Sequence, residues 1–477
     1  MRWSLALIAS IFFLFASSTS AFAATLLVGP GKDYAKPCLA IAAAHTGDTI
    51  QVDAAGNYAG DNCAWSTDNL TVIGVNGRAK IDLTGIQPAD ASSTFRINAP
   101  NATIENMEFT GVFVTAGAGA GIRHSGTNLT IRGCYFHDNQ QGLLGASASA
   151  GTGTILIENS EFARNGAGDG STHNIYLNSY NSVTMRDSYS HDAIGGHLIK
   201  SRANNNFLLY NRFTDEAGTA SYEIDLPNGG THYIIGNLIE KGAAASNPNS
   251  IACGAEGAVA AGSTLYVVNN TIVNDASTTG TFINVTSYAT TLANNIFRGR
   301  GTLTNALTPT LQTNWTDLNG DPKLTNQAAF DYHLRSDSPC IDMGTALLPT
   351  ADLSLVANQE YIDVNTLWPR TKVGTAIDLG AYEFGLTASV DAGVPTSDAG
   401  ITNDAGLPGA DGGGADSGAG NGDAGGPAGG SSGNSGCGCT VGTKAPISLA
   451  WWASAVGLGV GLVRRSRRRQ RSERRRR

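Results

Sequence analysis

Short β-rich stretches recur about every 25 residues between residues 24 and 385, and this repeat limits the fold more than any other feature of the sequence. Aliphatic and polar residues alternate within each repeat, which is the period of a β-strand. In one alignment each stretch ends two residues after an aliphatic residue, at Asn106, Gly133, Asn159, Asp187, Asn211, Asn237, Asn270 and Asn295. A fixed period of this size is typical of a solenoid, whose repeats bury their apolar faces only against their neighbours.

The repeat length and the pattern together favour an all-β, right-handed parallel β-helix. A propeller blade needs four strands and roughly 40 residues, and no convincing run of helical period accompanies the strands. Strands of successive coils should lie ~4.8 Å apart, and the crossover rule makes the coil right-handed. Asn at the strand ends suits tight turns and stacked amide ladders.

The start of the body predicts a short helix at residues 38–44, before a first strand that begins at residues 47–52. Such a helix would cover the open N-terminal edge of the coil. Five of the seven cysteines lie in the body, and a disulfide is permitted in an exported protein. We expect Cys38 to pair with Cys63, which would join the helix to the first coil, and at least one of the other three thiols to stay free or pair elsewhere.

This opening, together with the Asn-ended repeats, resembles the pectate-lyase-like family of right-handed β-helix proteins over residues 24–300. The resemblance implies the fold and leaves the activity open. Residues 321–384, with Ser338-Pro339-Cys340-Ile341-Asp342 and Asp378-Leu379-Gly380-Ala381-Tyr382-Glu383, resemble the segment that closes many surface β-helix proteins. We therefore assign residues 301–385 to the last coils and a cap, in which His333 and Asp342 are expected to be structural.

The N-terminus is predicted to be a signal peptide, residues 1–23. Arg2 precedes an apolar run, Leu5 to Phe15, and a small-residue stretch leads to an Ala-x-Ala site before cleavage after Ala23. This order of charged, apolar and small residues is that of a secretory signal. The mature protein is therefore expected to be exported.

The C-terminus is predicted to anchor the chain. Residues 386–436 repeat Asp-Ala-Gly without Lys or Arg, which favours a disordered stalk. A 19-residue apolar stretch, 445–463, just suffices to span a bilayer of ~30 Å as a transmembrane helix. Together with Cys437, Cys439 and an arginine tail, it makes residues 437–477 resemble the myxobacterial C-terminal surface-sorting signal. The resemblance implies a sorting protease and a cysteine anchor at either position, at the cell surface or outer membrane; a plain tail anchor is the alternative.

The charge distribution excludes nucleic acid as the ligand of the body. The whole chain has a formal charge of −8, but ten of its 31 basic residues lie between Arg464 and Arg477. Without the two ends, the remaining chain carries about −19. Phosphate binding needs a basic surface, while the arginine tail is explained by the positive-inside rule.

One region of the body contains charged and aromatic residues in place of the Asn, Ser, Gly and Thr that dominate the other repeats. If Ile175, Ile199 and Ile224 form one inward column, strand alternation directs Tyr176, Lys200 and Asp225 outward. The same parity adds flanking residues on both sides: Asn174, Leu198 and Glu223 on one, and Asn178 and Arg202 on the other. His173 and His197 take the inward parity, which favours a stacked structural pair.

These residue types suit β-elimination of a polyuronate, an acidic polysaccharide. The reaction needs a base, a donor to the leaving oxygen and neutralisation of the uronate carboxylate. Lys200 or Arg202 would be the base if its pKa were lowered, and Tyr176 or Arg202 would be the donor. The remaining assignments are substrate binding by Asn174, Asn178 and Tyr222, and Ca²⁺ as the candidate cofactor on Glu223 and Asp225.

Two other interpretations of this neighbourhood stay open. Lys200 and Asp225 could be one exposed salt bridge, which contributes little. The protein could also bind glycan without chemistry, as an adhesin or a structural spacer, with Tyr176, Tyr180, Tyr189 and Tyr222 as stacking surfaces. Residues 196–202 and 225–230 resemble uncharacterised surface β-helix proteins, which implies no particular reaction. The paired Asp pattern of galacturonan hydrolases is absent.

Overall fold

The solenoid is formed by the part of the chain that the structure describes. In this computed structural model those residues are 23–386, except 257, 258 and 365. The predicted signal peptide, stalk, apolar span 445–463 and anchoring residues Cys437 and Cys439 fall outside them, apart from single residues at the borders. Among the described residues, no helix is long and apolar enough to cross a bilayer.

From Leu70–Val75 onward, each complete coil contributes one strand to each of three parallel sheets, in the order first, second and third along the chain. Before it, Thr25–Val28 and Thr49–Asp53 join the first sheet and Cys63–Trp65 joins the third. The first sheet contains Thr25–Val28, Thr49–Asp53, Leu70–Val75, Asn101–Glu105, Asn128–Arg132, Thr154–Glu158, Ser182–Arg186, Asn205–Leu209, Thr231–Ile235, Thr264–Val268, Ala289–Ala293 and Thr310–Gln312. The second contains Ala79–Asp82, Met107–Thr110, Tyr135–His137, Glu161–Ala163, Tyr189–His191, Arg212–Thr214, Leu238–Lys241, Thr271–Asn274 and Ile296–Gly299. The third contains Cys63–Trp65, Ser93–Ile97, Ala120–His124, Gln141–Ala146, Ile175–Asn178, Ile199–Ser201, Ile224–Leu226, Ile251–Cys253, Gly280–Val285 and Gly301–Thr304.

The core is a set of side-chain columns that run along the solenoid axis. One column of the first sheet is fully buried and consists of Ile104, Ile131, Ile157, Met185, Leu208, Ile234, Val267 and Leu292. In the second sheet, Phe109, Phe136 and Phe162 stack with ring centroids 5.0 and 4.8 Å apart. Each such side chain contributes about 1.5–3 kcal/mol of burial free energy, so the aliphatic positions of the repeat hold the coils together.

The predicted alignment of the repeats is right for the first four and one residue late for the last four. The left-handed turn residue is Asn106, Gly133, Asn159 and Asp187, but then Tyr210, Gly236, Asn269 and Asn294. Asn211, Asn237, Asn270 and Asn295 instead follow the turn, where each buried amide oxygen accepts the backbone N–H of the preceding coil at 2.8–3.1 Å. The asparagines therefore fill two columns, one of turn residues and one of an internal amide ladder.

The C-terminal region departs from the coil and covers one half of the first sheet's outer face. Residues 324–326 pair antiparallel with 331–334 around a short 3-10 turn, Gln327–Ala329, and Gln359–Asp363 pairs with Thr366–Pro369. The outer column Leu209, Ile235, Val268 and Ala293 is apolar, and residues 347–357 pack against this part of the sheet. The uncovered half of the sheet carries the ion-paired column Glu105, Arg132, Glu158 and Arg186.

The predicted short helix is present at Pro37–Ala43, and Ala40 and Ile41 join the main core. Cys38 and Cys63 form the predicted disulfide. The thiols of Cys134, Cys253 and Cys340 are buried and free.

Candidate functional site

The predicted outward column exists on the third sheet. Ile199 pairs with Ile224, Tyr176 with Lys200, and Lys200 with Asp225. The three isoleucines are fully buried in the core, as predicted. Lys200 is 7% exposed and Asp225 only 1%, so the outward column forms the floor of a sheltered site rather than an exposed salt bridge.

Two cations of this site share one carboxylate. The Lys200 ammonium lies 2.8 Å from Asp225 Oδ2 and also contacts Glu256 Oε1. The Arg202 guanidinium contacts Glu256 Oε2, and its Nε donates to the Tyr176 hydroxyl at 3.1 Å. We call Lys200 and Arg202 the clamp. The clamp contacts both carboxylate oxygens of Glu256, whose side chain is 46% exposed.

The electrostatics of the clamp keep it cationic. Burial opposes the charge of Lys200, but Asp225 and Glu256 outweigh it and raise the pKa of this lysine. The pKa of Arg202 is raised as well, because Glu256 and Tyr176 outweigh the effect of burial. The condition under which Lys200 or Arg202 was expected to act as the base, a lowered pKa, is therefore not met.

His173 and His197 form the predicted stacked pair. Their ring centroids are 4.6 Å apart at an interplanar angle of 17°. His197 Nε2 lies 3.4 Å from Asp225 Oδ2, so the pair also touches the outward cluster. Burial, followed by the neighbouring Lys200, lowers the pKa of His173 to about 3, and burial followed by His173 lowers that of His197 to about 2.

Three residues predicted for the outward face lie elsewhere, and one of them, Leu198, is fully buried in the main core. Asn174 is fully buried; its Oδ1 accepts the backbone N–H of Asn165 at 3.0 Å and its Nδ2 donates to Ser190 Oγ at 3.1 Å. Glu223 is fully buried with its Oε1 2.8 Å from Lys241 Nζ. Asn174 and Glu223 precede the strands of the third sheet, Ile175–Asn178 and Ile224–Leu226, so strand alternation does not extend to them.

The predicted calcium pair does not come together. Glu223 is neutralised by Lys241 and Asp225 by Lys200, and the two carboxylates have different partners. Among the described residues, no group of three or more His, Cys, Asp or Glu side chains is arranged to hold a metal ion. The residues present therefore do not fit a Ca²⁺ site.

The remaining predicted residues are divided between this site and other parts of the coil. Asn178 ends the strand below the clamp and is partly exposed, and the Tyr222 ring lies 5.1 Å from that of His197. Tyr180 is fully buried with its hydroxyl 2.6 Å from His124 Nδ1, and Tyr189 stacks on His191 in the second sheet. Only Tyr176 and Tyr222 of the four tyrosines can therefore offer a ring beside the clamp.

Glu256 and Asn228 are members of the site that the sequence reasoning missed. Asn228 Oδ1 accepts from Arg202 Nη1 at 2.9 Å. Both residues lie in turns between the third and first sheets. The available signal was a single charged residue in the otherwise small and apolar stretch 252–262, one coil after Asp225.

A second histidine arrangement, which the sequence reasoning also missed, lies on the second sheet. His137 contacts Asp138 Oδ2 at 2.6 Å and Glu108 Oε1 at 3.2 Å. Two coils later, His191 contacts Asp192 Oδ2 at 2.7 Å and Glu161 Oε1 at 3.2 Å. The signal was the pattern Tyr-x-His-Asp, repeated at residues 135–138 and 189–192.

The comparison with family models agrees with the fold. Residues 58–239 match the family model described as "Right handed beta helix region". A solved structure titled "Crystal structure of pectate lyase Pel9A" aligns at 16% sequence identity and a TM-score of 0.47, over 76% of this chain and 96% of that chain. No curated protein matches the sequence. The family match, together with the three parallel sheets, shows a right-handed parallel β-helix.

Proposed function

We propose that the protein binds an acidic polysaccharide on the outer face of the third sheet, through the carboxylate of a uronate sugar. The observation that carries this proposal is the clamp, in which Lys200 and Arg202 grip both oxygens of the Glu256 carboxylate. A uronate carboxylate has the same charge and geometry. Charge-assisted hydrogen bonds to two cations are the strongest polar contacts available to such a group.

The surroundings of the clamp support a polymer rather than a single sugar. Arg96, Arg123 and Leu144 precede Tyr176 in the same outward column, one residue per coil. All three are partly exposed. The column therefore offers two further cations and an aromatic ring along the solenoid axis, on a body that is otherwise acidic.

Affinity measurements with polyuronates test the proposal. For the intact chain, Lys200→Ala or Arg202→Gln should weaken binding to polygalacturonate or alginate about 10- to 100-fold, since each loses a charged hydrogen bond. Glu256→Gln should strengthen it, because the competing internal carboxylate becomes neutral. Titration at low and high salt should show the strongest binding at low salt.

Matched variants keep this experiment specific. Lys80→Ala removes an ion-paired lysine of the second sheet, and Arg186→Gln an ion-paired arginine of the first. Both should leave the affinity unchanged, and a neutral glucan should not bind. The proposal would be overturned if no polyuronate bound with millimolar or tighter affinity. It would also be overturned if the clamp and control variants lost affinity equally.

Cleavage by β-elimination is the second candidate, and the contact between Tyr176 and Arg202 favours it. The guanidinium, 3.1 Å from the hydroxyl, would stabilise a phenolate that takes the C5 proton while the clamp neutralises the adjacent carboxylate. The C4–oxygen bond then breaks, a C4–C5 double bond forms, and the leaving oxygen takes up the proton that the Tyr176 hydroxyl accepted. Ultraviolet absorbance of unsaturated products, lost in Tyr176→Phe with binding retained, would support this reaction. Binding without any such product leaves the protein a glycan-binding protein.

We also propose a place at the cell surface for this activity. The proposal is supported only by the sequence of residues 1–23 and 437–477, which lie outside the described structure except for residue 23. Protease digestion of intact cells should remove the body, and replacing both Cys437 and Cys439 should release it if a cysteine is the anchor. Protection of the body from protease in intact cells would contradict surface display.

A further inference from the structure

An aromatic stack on the outer face of the first sheet ends after three rings. Phe207, Tyr233 and Tyr266 are consecutive members of one outward column. Their ring centroids lie 5.2 and 5.0 Å apart, and the planes of each pair differ by 7°. The next two members of the column are Thr291 and Thr310. The stack therefore stops at Tyr266, because the following coils supply no ring.

A cavity of 730 Å³ lies where the stack stops. It is lined by Tyr266, Thr291 and Thr310, and by Gln312, which shares the outer face of the last strand with Thr310. Residues 345–351 form another wall. The volume falls within the range of small-molecule sites. The place that a fourth ring would take is thus open to a ligand.

The wall of the cavity is fastened to the sheet at both of its ends. Asn294 accepts the backbone N–H of Thr345 at 2.9 Å and donates to the carbonyl oxygen of the same residue at 2.9 Å. At the other end, Thr350 Oγ1 lies 2.9 Å from the Tyr233 hydroxyl. The cavity is therefore preformed, and a ligand would not have to order this segment.

The lining suits a neutral ligand that carries hydroxyl groups. None of the lining residues, which all belong to the described part of the chain, is charged. The hydroxyls of Tyr266, Thr291 and Thr310 and the amide of Gln312 form no hydrogen bond within the described residues, unlike the groups that fasten the wall. They are free to donate to and accept from a ligand. A charged ligand would lose its hydration here without an ionic partner.

A pyranose ring fits the open position of the stack. Its C–H groups pack on the negative face of an aromatic ring, and its hydroxyls lie around the ring edge, where the free groups of Thr291, Thr310 and Gln312 are available. Tyr266 offers one face only, since Tyr233 covers the other. One-sided stacking favours galactose, whose axial C4 hydroxyl leaves the C–H groups of C3, C4 and C5 together on the opposite face. In glucose the C–H groups are divided between the two faces.

We propose that this cavity is a second glycan site, which binds a neutral β-galactoside with one sugar ring stacked on Tyr266. A galacturonate unit has the same apolar face, but the lining offers no cation for its carboxylate. The site is independent of the clamp, which lies on the third sheet and binds through charge.

Two threonines at opposite ends of the stack provide matched variants. Thr291→Phe places a ring in the position that the sugar would occupy. Thr184→Phe adds the same side chain to the same column at the other end of the stack, where Thr184 pairs with Phe207. A general effect of the added ring on the fold should therefore appear in both variants, whereas a loss of binding should appear only in the first.

Calorimetric titration of the intact chain with β-1,4-galactotetraose and with cellotetraose provides the test, with urea unfolding of each variant. We expect galactotetraose to bind more tightly than about 1 mM and cellotetraose at least about 10-fold more weakly. Thr291→Phe should abolish binding of galactotetraose, and Tyr266→Leu should weaken it about 10-fold. Gln312→Ala, which changes an exposed residue, should weaken it about 5-fold through one lost hydrogen bond. Thr184→Phe should leave the affinity unchanged.

The outcomes separate this site from the clamp. The proposal would be overturned if galactotetraose did not bind, or if it bound equally well to Thr291→Phe and Thr184→Phe. Equal affinities for galactotetraose and cellotetraose would refute the galactoside assignment. If Lys200→Ala abolished binding of galactotetraose, the two ligands would share one site and no second site would exist. Unchanged binding of polygalacturonate by Thr291→Phe would support two independent sites.

Discussion

The second and third sheets each carry a pair of histidines, but the pKa values of the two pairs are shifted in opposite directions. His137 and His191 lie on the outer face of the second sheet, each between two carboxylates. Burial opposes their charge, but these carboxylates outweigh it and raise the pKa of both. His173 and His197 are buried beside Lys200, and their pKa values fall to about 3 and about 2.

The difference shows that the repeat determines where the histidines lie, while groups on the neighbouring coils determine the direction of their pKa shifts. On the second sheet the partners come from the preceding coil and from the residue that follows each histidine, and all are anions. On the third sheet a backbone N–H donates to Nδ1 of each ring. After burial, Lys200 is the strongest influence that lowers the pKa of His173, while His197 Nε2 lies 3.4 Å from the Asp225 carboxylate. The second sheet therefore favours the charged form of its histidines, and the third favours the neutral form.

The largest expected effect is acid destabilisation by the third-sheet pair. Their folded pKa values are depressed, so stability is present above the unfolded value near 6.5 and is lost as the pH falls. Between neutral pH and pH 4.5, each histidine should lower the free energy of unfolding by about 2.7 kcal/mol, or about 5 kcal/mol for the two. Between pH 7.5 and 4.5, urea unfolding should therefore show a smaller loss of stability in the double variant His173→Asn/His197→Asn than in the wild type.

The exposed His45, whose side chain is 87% accessible, provides the control. His45→Asn should follow the wild-type dependence on pH. If the double variant loses as much stability as the wild type over this range, the third-sheet pair does not carry the acid sensitivity and the comparison fails.

A smaller effect of opposite sign is expected from the second-sheet pair. Their folded pKa values are raised, so their contribution is complete below the unfolded value and disappears as the pH rises through the folded value. At pH 6, His137→Gln/His191→Gln should be about 2–3 kcal/mol less stable than the wild type, the scale of charged hydrogen bonds. The deficit should shrink toward pH 9.

Thermal or urea unfolding at pH 6 and 9 measures this trend, with His333→Gln as the control. His333 also contacts a carboxylate, Asp331 at 2.7 Å, but its side chain is 52% exposed. A deficit in the double variant that grows with pH would contradict the assignment of charged histidines to the second sheet.

The sequence was sufficient to predict the fold because its evidence is periodic. The inward isoleucines Ile175, Ile199 and Ile224 and the outward column beside them follow from one strand period and one coil length, and both are confirmed. The alignment slipped at Asn211 because Asn suits both a left-handed turn and an amide ladder. A periodic pattern cannot separate two adjacent positions that favour the same residue.

The strand residues of the candidate site could be predicted, but its turn residues could not, because turns do not follow the strand period. Glu223 was assigned to the outward face by alternation, but it lies just before its strand and pairs with Lys241. Glu256 was missed because its turn brings it back to Lys200 across 56 residues of sequence. Contacts made by turns depend on the local chain path, which composition and period do not specify.

The smallest effect concerns a carboxylate partner that differs between the two second-sheet histidines. Arg164 donates to both oxygens of Asp138, at 3.0 and 2.9 Å, whereas Asp192 accepts a backbone N–H from Ala217 at 2.8 Å. Arg164 and Asp138 are nearly half exposed, so Arg164→Gln should lower the free energy of unfolding by less than about 1 kcal/mol.

Without Arg164, the Asp138 carboxylate is left to His137 alone. The pKa of His137 should therefore rise further while that of His191 stays constant, as measured by NMR titration of labelled histidines. Equal shifts at both histidines, or a fall at His137, would show that the two copies are not set by their own carboxylates.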